Sequence, residues 1–210
     1  MPRLTVRLLK PTRRRELDEY LRLYSRCFSP DERVAPRILR WVIEPSPARV
    51  NPVHLFAAYA EGRLVGGACT LVLPVFRVVF GSYLFVDPKL RRRGLGLKIL
   101  RQVLRQERRG PHGWNWRMYA EITAASGDWW HKLLGKVGFR FFTAMWPLGS
   151  YQTPEKVIPG RLGYFPFRNQ PPSRFSQPAM LAYIHSLFYG PEAMHRHLLP
   201  RLKDFVSLDA

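Results

Sequence analysis

The sequence lacks a long apolar run, and it contains few cysteines and few acids. No stretch of about 18 uncharged apolar residues occurs, so we expect no transmembrane helix. The opening Met1-Pro2-Arg3 leads into no long apolar region, so we expect no secretory signal. The two cysteines, Cys27 and Cys69, fit no metal-ligand spacing, and we expect both to be small core residues of a reduced, cytoplasmic protein.

The shortage of acids leaves a large and uneven positive charge. The chain has 34 Lys and Arg against 15 Asp and Glu, a net charge of +19 at pH 7. Between Gly62 and Ala120 the only acids are Asp87 and Glu107, against twelve Lys and Arg. Such a field attracts polyanions such as RNA or DNA, or an acidic substrate. Alternatively, the positive charge reflects an arginine-rich proteome in which all proteins are basic. This alternative is favoured by the scattering of most of the arginines along the chain.

What the sequence does contain is enough apolar material for a folded core. Its 210 residues are 46% hydrophobic and 13% aromatic, which suits one domain with an appendage. Periodicity predicts strands at 4–9, 53–60, 63–73, 75–86, 116–123 and 140–146, with 148–152 continuing or pairing with the last one. It predicts helices at 13–28 (capped by Thr12), 35–44, 95–109 and 129–137, the last stopped by Gly138.

The character of the chain changes after residue 152. Residues 153–178 hold many prolines and several aromatics, which predicts an extended but ordered arm, since aromatic side chains need burial. Two helices are predicted beyond it, at 178–189 and 192–205. We therefore expect a domain at 1–152 and a C-terminal segment at 153–210, which packs on that domain or on a partner chain of a homodimer.

One stretch combines a strand, a basic turn and two glycines. The apolar strand end 83–86 leads into the basic turn 89–93, and Gly94 and Gly96 then open the helix 95–109. The first N–H groups of a helix lack intrahelical partners, and the helix dipole favours negative charge there. Glycine lets a phosphate approach the backbone, and arginine supplies planar donors. This stretch therefore predicts a site for an anionic group.

The spacing of this stretch resembles a known family. Arg91-x-x-Gly94-x-Gly96, preceded by Val86-Asp87-Pro88, is similar to the acyl-CoA pyrophosphate loop of the GNAT superfamily of N-acetyltransferases. Lys136-Val137-Gly138-Phe139 resembles the second signature of that family, which closes its fourth helix. The resemblance covers residues 4 to about 152. It implies an α/β (α+β) fold with a mixed, mostly antiparallel central sheet flanked by helices.

The resemblance implies direct transfer of an acetyl group, or a longer acyl group, from acyl-CoA to an amine. Coenzyme A would enter as acetyl-CoA, the co-substrate, and the amine acceptor is not specified by the sequence. The strand would contact pantetheine, the loop N–H groups would hold the pyrophosphate, and one of three arginines would reach the 3′-phosphate. The implied cofactor-binding residues are Leu84, Phe85, Val86, Arg91, Arg92, Arg93, Gly94, Leu95 and Gly96.

The catalytic groups are less defined, because the tyrosine that the family commonly uses as general acid is Leu134 here. Glu121 is our candidate general base, since burial in a core strand would raise its pKa. Glu121 could instead pair with Arg117 or Arg140. The candidate acids are Ser126 and Tyr83, with Tyr119 and His131 as further substitutes.

The altered signature leaves a second function open. A GNAT-like fold without its usual acid could be an idle module that binds CoA or nucleic acid. The sequence contains neither a helix-turn-helix pattern nor an RNA-binding signature, so nucleic acid is suggested by charge alone. We expect no metal site, because His195 and His197, two residues apart, would face different sides of a helix.

Overall fold

The computed structural model describes residues 3–44, 53–74, 77–109, 117–123, 128–142, 146–149 and 157–166. These residues form four α-helices: α1 Arg14–Cys27, α2 Pro36–Ile43, α3 Leu95–Arg109 and α4 Asp128–Gly135. They also form eight strands: β1 Leu4–Leu8, β2 Val53–Ala60, β3 Arg63–Leu73, β4 Val78–Val86, β5 Arg117–Thr123, β6 Arg140–Phe141, β7 Trp146–Gly149 and β8 Val157–Pro166. None of the described helices is long and apolar enough to cross a membrane.

The chain divides into two compact units, residues 1–118 and 119–210. In the first unit β1, β2, β3 and β4 pair in that order, and each pairing is antiparallel. The turn Glu61-Gly62 joins β2 to β3, with both residues in the left-handed region at φ 51° and 75°. The predicted hairpin is therefore present with the predicted bounds.

Helix α3 packs on one side of this sheet through an apolar stripe. Ile99, Leu100, Val103 and Leu104 recur at helical spacing and are all buried. Ile99 and Val103 join a core cluster with side chains from all four strands. The predicted helix and its apolar stripe are confirmed, and its first turn is fixed close to the sheet.

Gln102 and Gln106 of α3 bond the outer edge of β1. Val6 donates its backbone N–H to Gln102 Oε1 at 3.1 Å, and Gln102 Nε2 donates to the Leu4 carbonyl at 3.1 Å. Gln106 Nε2 donates to the Val6 carbonyl at 2.8 Å. Backbone groups on the outer edge of β1 thus have side-chain hydrogen-bond partners, whereas the outer edge of a sheet commonly presents unpaired backbone groups.

Helix α1 brings a set of aromatic side chains against β3 and β4. The buried rings of Tyr20 and Tyr24 contact Phe85 edge-on, at centroid distances of 5.1 and 5.9 Å. The Tyr20 hydroxyl donates to the Ala68 carbonyl at 2.7 Å, which satisfies this polar group in the core. The predicted helix is present, but the predicted N-cap, Thr12, was wrong. Arg13 occupies the N-cap position and makes no side-chain cap hydrogen bond.

The second unit contains α4 and the later strands. Strand β8 lies between β5 and β6 in hydrogen-bonding order and also pairs with β7. After α4, Gly138 adopts φ 99°, and the Phe139 N–H donates to the Leu134 carbonyl at 3.2 Å. Phe139 is buried, so the predicted stop and its packing residue are confirmed.

The C-terminal expectations are only partly covered by the described residues. Within the expected arm, residues 157–166 form β8, a paired strand. Both predicted C-terminal helices lie outside the described residues, as does the remainder of the arm. The domain boundary after residue 152 therefore stays a prediction.

Candidate functional site

The end of β4 is fixed by contacts with β3 and α1. Asp87 follows the last residue of the strand, and its N–H donates to the Val65 carbonyl at 2.9 Å. The Cys27 thiol lies 3.6 Å from the Val86 carbonyl oxygen, and Arg26 lies 3.6 Å from the Asp87 carboxylate. The strand end is therefore held on both sides before the glycine loop begins.

A tight turn then redirects the chain. Asp87 accepts a hydrogen bond from the Lys89 N–H at 3.0 Å, and its carbonyl accepts one from the Leu90 N–H at 2.8 Å. Pro88 stands at the start of this 3-10 turn, where its missing N–H is no loss. The aspartate and proline of the motif thus shape the loop that follows.

Two left-handed residues carry the chain from this turn into α3. Arg92 has φ 64° and Gly94 has φ 72°. Left-handed backbone costs a residue with a side chain roughly 1–2 kcal/mol, a penalty that glycine escapes. At Gly94 an added Cβ would meet no atom within 4 Å, so the backbone here faces open space.

The first turn of α3 offers hydrogen-bond donors. The first helical hydrogen bond runs from the Lys98 N–H to the Gly94 carbonyl at 3.3 Å. The N–H groups of residues 95–97 consequently have no acceptor within the helix. Together with the helix dipole, they form a donor set suited to an anion.

Arginine side chains surround these donors. Arg91, Arg92 and Arg93 are all exposed. Burial raises the pKa of the Cys27 thiol, and the nearby Arg91 guanidinium opposes that rise. The open space at Gly94, the free N–H groups and the arginines together fit a diphosphate group, such as that of coenzyme A.

A glycine that sequence reasoning did not single out sets the distance between α3 and the sheet. A Cβ on Gly66 of β3 would stand 2.4 Å from the Phe85 carbonyl oxygen and 2.9 Å from Ile99 Cδ1. Only glycine allows this approach, since real Cβ atoms do not come so close to backbone. The adjacent pair Gly66-Gly67 within an apolar strand was the available signal.

Strand β4 also carries an irregularity that the sequence reasoning missed. Cys69 pairs with Tyr83 and Thr70 pairs with Gly81, which leaves Ser82 opposite no residue of β3. The Ser82 hydroxyl oxygen is buried, and among the described residues it has no hydrogen-bond partner. Bulges often lie next to active sites, and a glycine inside a strand, here Gly81, is their usual signal.

Tyr83, one candidate acid, lies among aromatic residues of the first unit. Its hydroxyl accepts a hydrogen bond from the Val34 N–H at 2.9 Å, and its ring contacts Tyr24 edge-on at 5.0 Å. Tyr24 donates to the Val34 carbonyl at 3.1 Å, and burial raises the pKa of Tyr24 well above its ordinary value. Tyr83 thus has a packing role, and its catalytic role stays a prediction.

The remaining candidates belong to the second unit or lie outside the described residues. Glu121 is half-buried in β5, and its role as general base stays a prediction. Ser126 lies outside the described residues. Tyr119 is buried with its ring 6.3 Å from that of Tyr164, and Leu134 is 4% exposed. Leu134 is therefore a core residue of the second unit.

Comparison with known proteins gives a family match over much of this chain. The model described as the acetyltransferase (GNAT) family matches residues 17–139. That range includes the whole β4–loop–α3 segment and the end of α4. No curated protein matches the chain at a significant level.

Solved structures show the same fold at low sequence identity. A protein from Bacteroides thetaiotaomicron, described as an acetyltransferase of the GNAT family, has a TM-score of 0.71 at 13% identity, covering 89% of this chain and 98% of its own. The ribosomal-protein-S18-alanine N-acetyltransferase of Escherichia coli has a TM-score of 0.59 at 15% identity, covering 80% and 97%.

A third structure is described as containing acetyl-CoA. It comes from Salmonella typhimurium, is described as an acetyltransferase with its cofactor acetyl-CoA, and has a TM-score of 0.56 at 20% identity, covering 80% of this chain and 96% of its own. These likenesses confirm the expected fold class, a mixed α/β arrangement with a mostly antiparallel sheet flanked by helices.

Proposed function

Because this chain belongs to the GNAT acetyltransferase family, we propose that it transfers an acetyl group from acetyl-CoA directly to an amine acceptor. The observation that carries the proposal is the β4–loop–α3 segment, in which free N–H groups, Gly94 and three exposed arginines come together. The segment was recognised in the sequence, and its local geometry suits a diphosphate.

The anionic part of acetyl-CoA binds at the start of α3. The N–H groups of residues 91–96 donate to the pyrophosphate, and the helix dipole adds a favourable field. Arg91, Arg92 and Arg93 add charge, and one of them reaches the 3′-phosphate. Hydrogen bonds to a charged group are worth about 1.5–3 kcal/mol each, so a few of them account for micromolar binding.

The pantetheine arm runs along the end of β4. Its amides pair with backbone groups of residues 84–86, as a short added strand would. Because Asp87, Arg26 and Cys27 hold the end of β4, this backbone is positioned before the ligand arrives. Such preorganisation reduces the ordering cost of binding.

Transfer of the acetyl group then requires a neutral amine and a group that accepts the proton the amine loses. The amine nitrogen attacks the thioester carbonyl carbon, the carbon–sulfur bond breaks, and the thiolate of coenzyme A takes up a proton. Glu121 accepts the proton that the amine loses, because it is a carboxylate that β5 holds in a half-buried position. Tyr83 or Ser126 donates the proton to the departing thiolate.

Calorimetry and a thiol-release assay test this function on the full chain. We expect acetyl-CoA to bind, and coenzyme A thiol to appear when a panel of primary amines is added. In Glu121→Gln we expect acetyl-CoA affinity within about twofold of wild type and a kcat lower by roughly 10²–10⁴-fold. Glu19→Gln, the same substitution at an exposed position of α1, is the matched control.

The outcomes separate the two functions. No binding of acetyl-CoA would overturn the proposal entirely. Binding without thiol release over a broad amine panel would instead favour a module that binds CoA without catalysis. Unchanged kcat in Glu121→Gln would remove Glu121 as the base, while leaving the acetyl transfer intact.

A further inference from the structure

The helices α1 and α2 border an open groove in the first unit. It is lined by parts of α1 (within 18–26) and of α2 (within 36–40), and by Leu64 of β3. Its volume is about 790 Å³. Sites for small molecules usually have volumes of about 300–1,000 Å³, so the groove has the size of such a site. We call it the α1–α2 groove.

The lining of the groove combines apolar and charged residues. Leu21, Leu23 and Leu64 are at most 8% exposed, so the apolar part of the lining lies deep. An apolar base with a few charged groups is the usual composition of a small-molecule site. The charged lining residues have a net charge of +2 and comprise four arginines and two acids, namely Arg22, Arg26, Arg37, Arg40, Asp18 and Glu19.

Pairing within the protein uses part of this charge. Arg40 pairs with Asp18, which removes one arginine and one acid from the balance. Arg26 lies 3.6 Å from the carboxylate of Asp87, which follows β4. Glu19 is the exposed acid that remains in the lining. A ligand of this groove must therefore find its cationic partners among the other arginines.

Those partners are Arg22 of α1 and Arg37 of α2. Both are exposed, and neither forms a hydrogen bond or an ion pair with any residue that the structure describes. A guanidinium presents planar, paired donors that match the oxygens of a phosphate or a carboxylate. Two such groups, on different helices but in one groove, suit a ligand with more than one oxyanion group.

The segment between the two helices fixes the groove before a ligand binds. Arg33 Nη1 donates to the Ser25 carbonyl at 2.8 Å and to the Phe28 carbonyl at 2.6 Å. The Tyr24 hydroxyl donates to the Val34 carbonyl at 3.1 Å. These hydrogen bonds tie the end of α1 to the residues that lead into α2. The ordering cost of binding is therefore small.

We propose that the α1–α2 groove binds a small molecule that carries two or more oxyanion groups, phosphates or carboxylates. Arg22 and Arg37 hold the oxyanions, and the buried leucines contact the less polar part of the ligand. None of these residues belongs to the set proposed to bind acetyl-CoA. The inference therefore goes beyond the proposed acetyl transfer and does not depend on it.

Calorimetry on the full chain with ATP, tripolyphosphate and citrate tests this site. Two charge-assisted contacts predict a Kd of the order of 0.1 mM for at least one of these probes. Comparing citrate with the two phosphate compounds shows which oxyanion is preferred. The test variant is Arg22→Gln/Arg37→Gln. The matched control is Arg14→Gln/Arg15→Gln, which removes the same charge from exposed positions of α1 outside the groove.

A second variant, Ser25→Trp, separates the space of the groove from its charge. Ser25 lines the groove, and a tryptophan there fills part of its volume while both free arginines remain. We expect the Kd of the bound probe to rise at least about tenfold in each test variant. The control should stay within about twofold of wild type. Thermal unfolding shows that each variant compared is folded.

Four results would overturn the proposal. The first is no binding of any probe at about 5 mM. The second is an equal loss in the control and in Arg22→Gln/Arg37→Gln, since net charge would then explain binding. The third is full affinity in a folded Ser25→Trp protein, since the groove would then not be the site. The fourth is an equal loss of acetyl-CoA affinity in Arg22→Gln/Arg37→Gln, which would place the probe at the glycine loop. Failure of the chain to bind acetyl-CoA would refute the proposed transfer and leave this test intact.

Discussion

Replacing Gly94 with alanine isolates the backbone geometry of the proposed phosphate site. The residue has φ 72°, and an added Cβ would meet no protein atom within 4 Å. Gly62, in the turn between β2 and β3, has φ 75° and equally open space. Gly62→Ala therefore imposes the same backbone strain at a position where we propose no ligand contact. It is the matched control for Gly94→Ala.

The stability cost should be similar in the two variants. A left-handed residue that carries a Cβ costs roughly 1–2 kcal/mol, and no steric clash adds to this. At about 2–4 °C per kcal/mol for a chain of this size, each variant should lose about 2–8 °C in Tm. Equal losses would show that the two positions are matched in strain.

The two variants should differ in acetyl-CoA affinity. A Cβ at Gly94, or a backbone shift that relieves its strain, would cost at least one hydrogen bond to a charged phosphate, about 1.5–3 kcal/mol. The Kd for acetyl-CoA should therefore rise by roughly 10- to 100-fold in Gly94→Ala and stay unchanged in Gly62→Ala. Calorimetry well below Tm measures both. Wild-type affinity in Gly94→Ala would refute our placement of the diphosphate.

Three further predictions concern the first unit. Thr70→Val removes the donor to buried Glu107 and should lower the free energy of unfolding in urea by about 1–3 kcal/mol; a loss under about 0.5 kcal/mol would contradict this account. Gly66→Ala brings a Cβ to 2.4 Å from the Phe85 carbonyl and should destabilise by at least about 1–3 kcal/mol, whereas Gly135→Ala, with open space, should not. Burial and the Glu107 charge raise the pKa of the Cys69 thiol to about 12, so maleimide at pH 7.5 should label Cys27 before Cys69, as peptide mass spectrometry can show.

Sequence patterns located most of the regular elements, because local signals determine them. The hairpin and α3 have the predicted bounds, since an apolar period and a turn or glycine marked each end. Strand β4 begins at Val78 instead of the expected 75, and β6 spans only Arg140–Phe141 instead of 140–146. Strand ends depend on where the partner strand stops, which no single stretch of sequence contains.

In the candidate site too, features set by contiguous residues were predictable, and features that depend on distant residues were not. The glycine loop was predictable because its donors and arginines are contiguous from Arg91 to Gly96. The unpaired position of Ser82 was not, because a bulge depends on the register between β3 and β4. The inward turn of Glu107 was also missed, since its partners Thr70 and His54 are 37 and 53 residues away.

The bonds from α3 to the edge of β1 bear on self-association. A strand from a second copy could extend the sheet at the described part of β1 only by replacing three hydrogen bonds made by Gln102 and Gln106. Each contributes about 0.5–1.5 kcal/mol and is already formed within the chain. The two glutamines therefore compete with intermolecular strand addition, and they protect this edge from the β-type aggregation to which open sheet edges are prone.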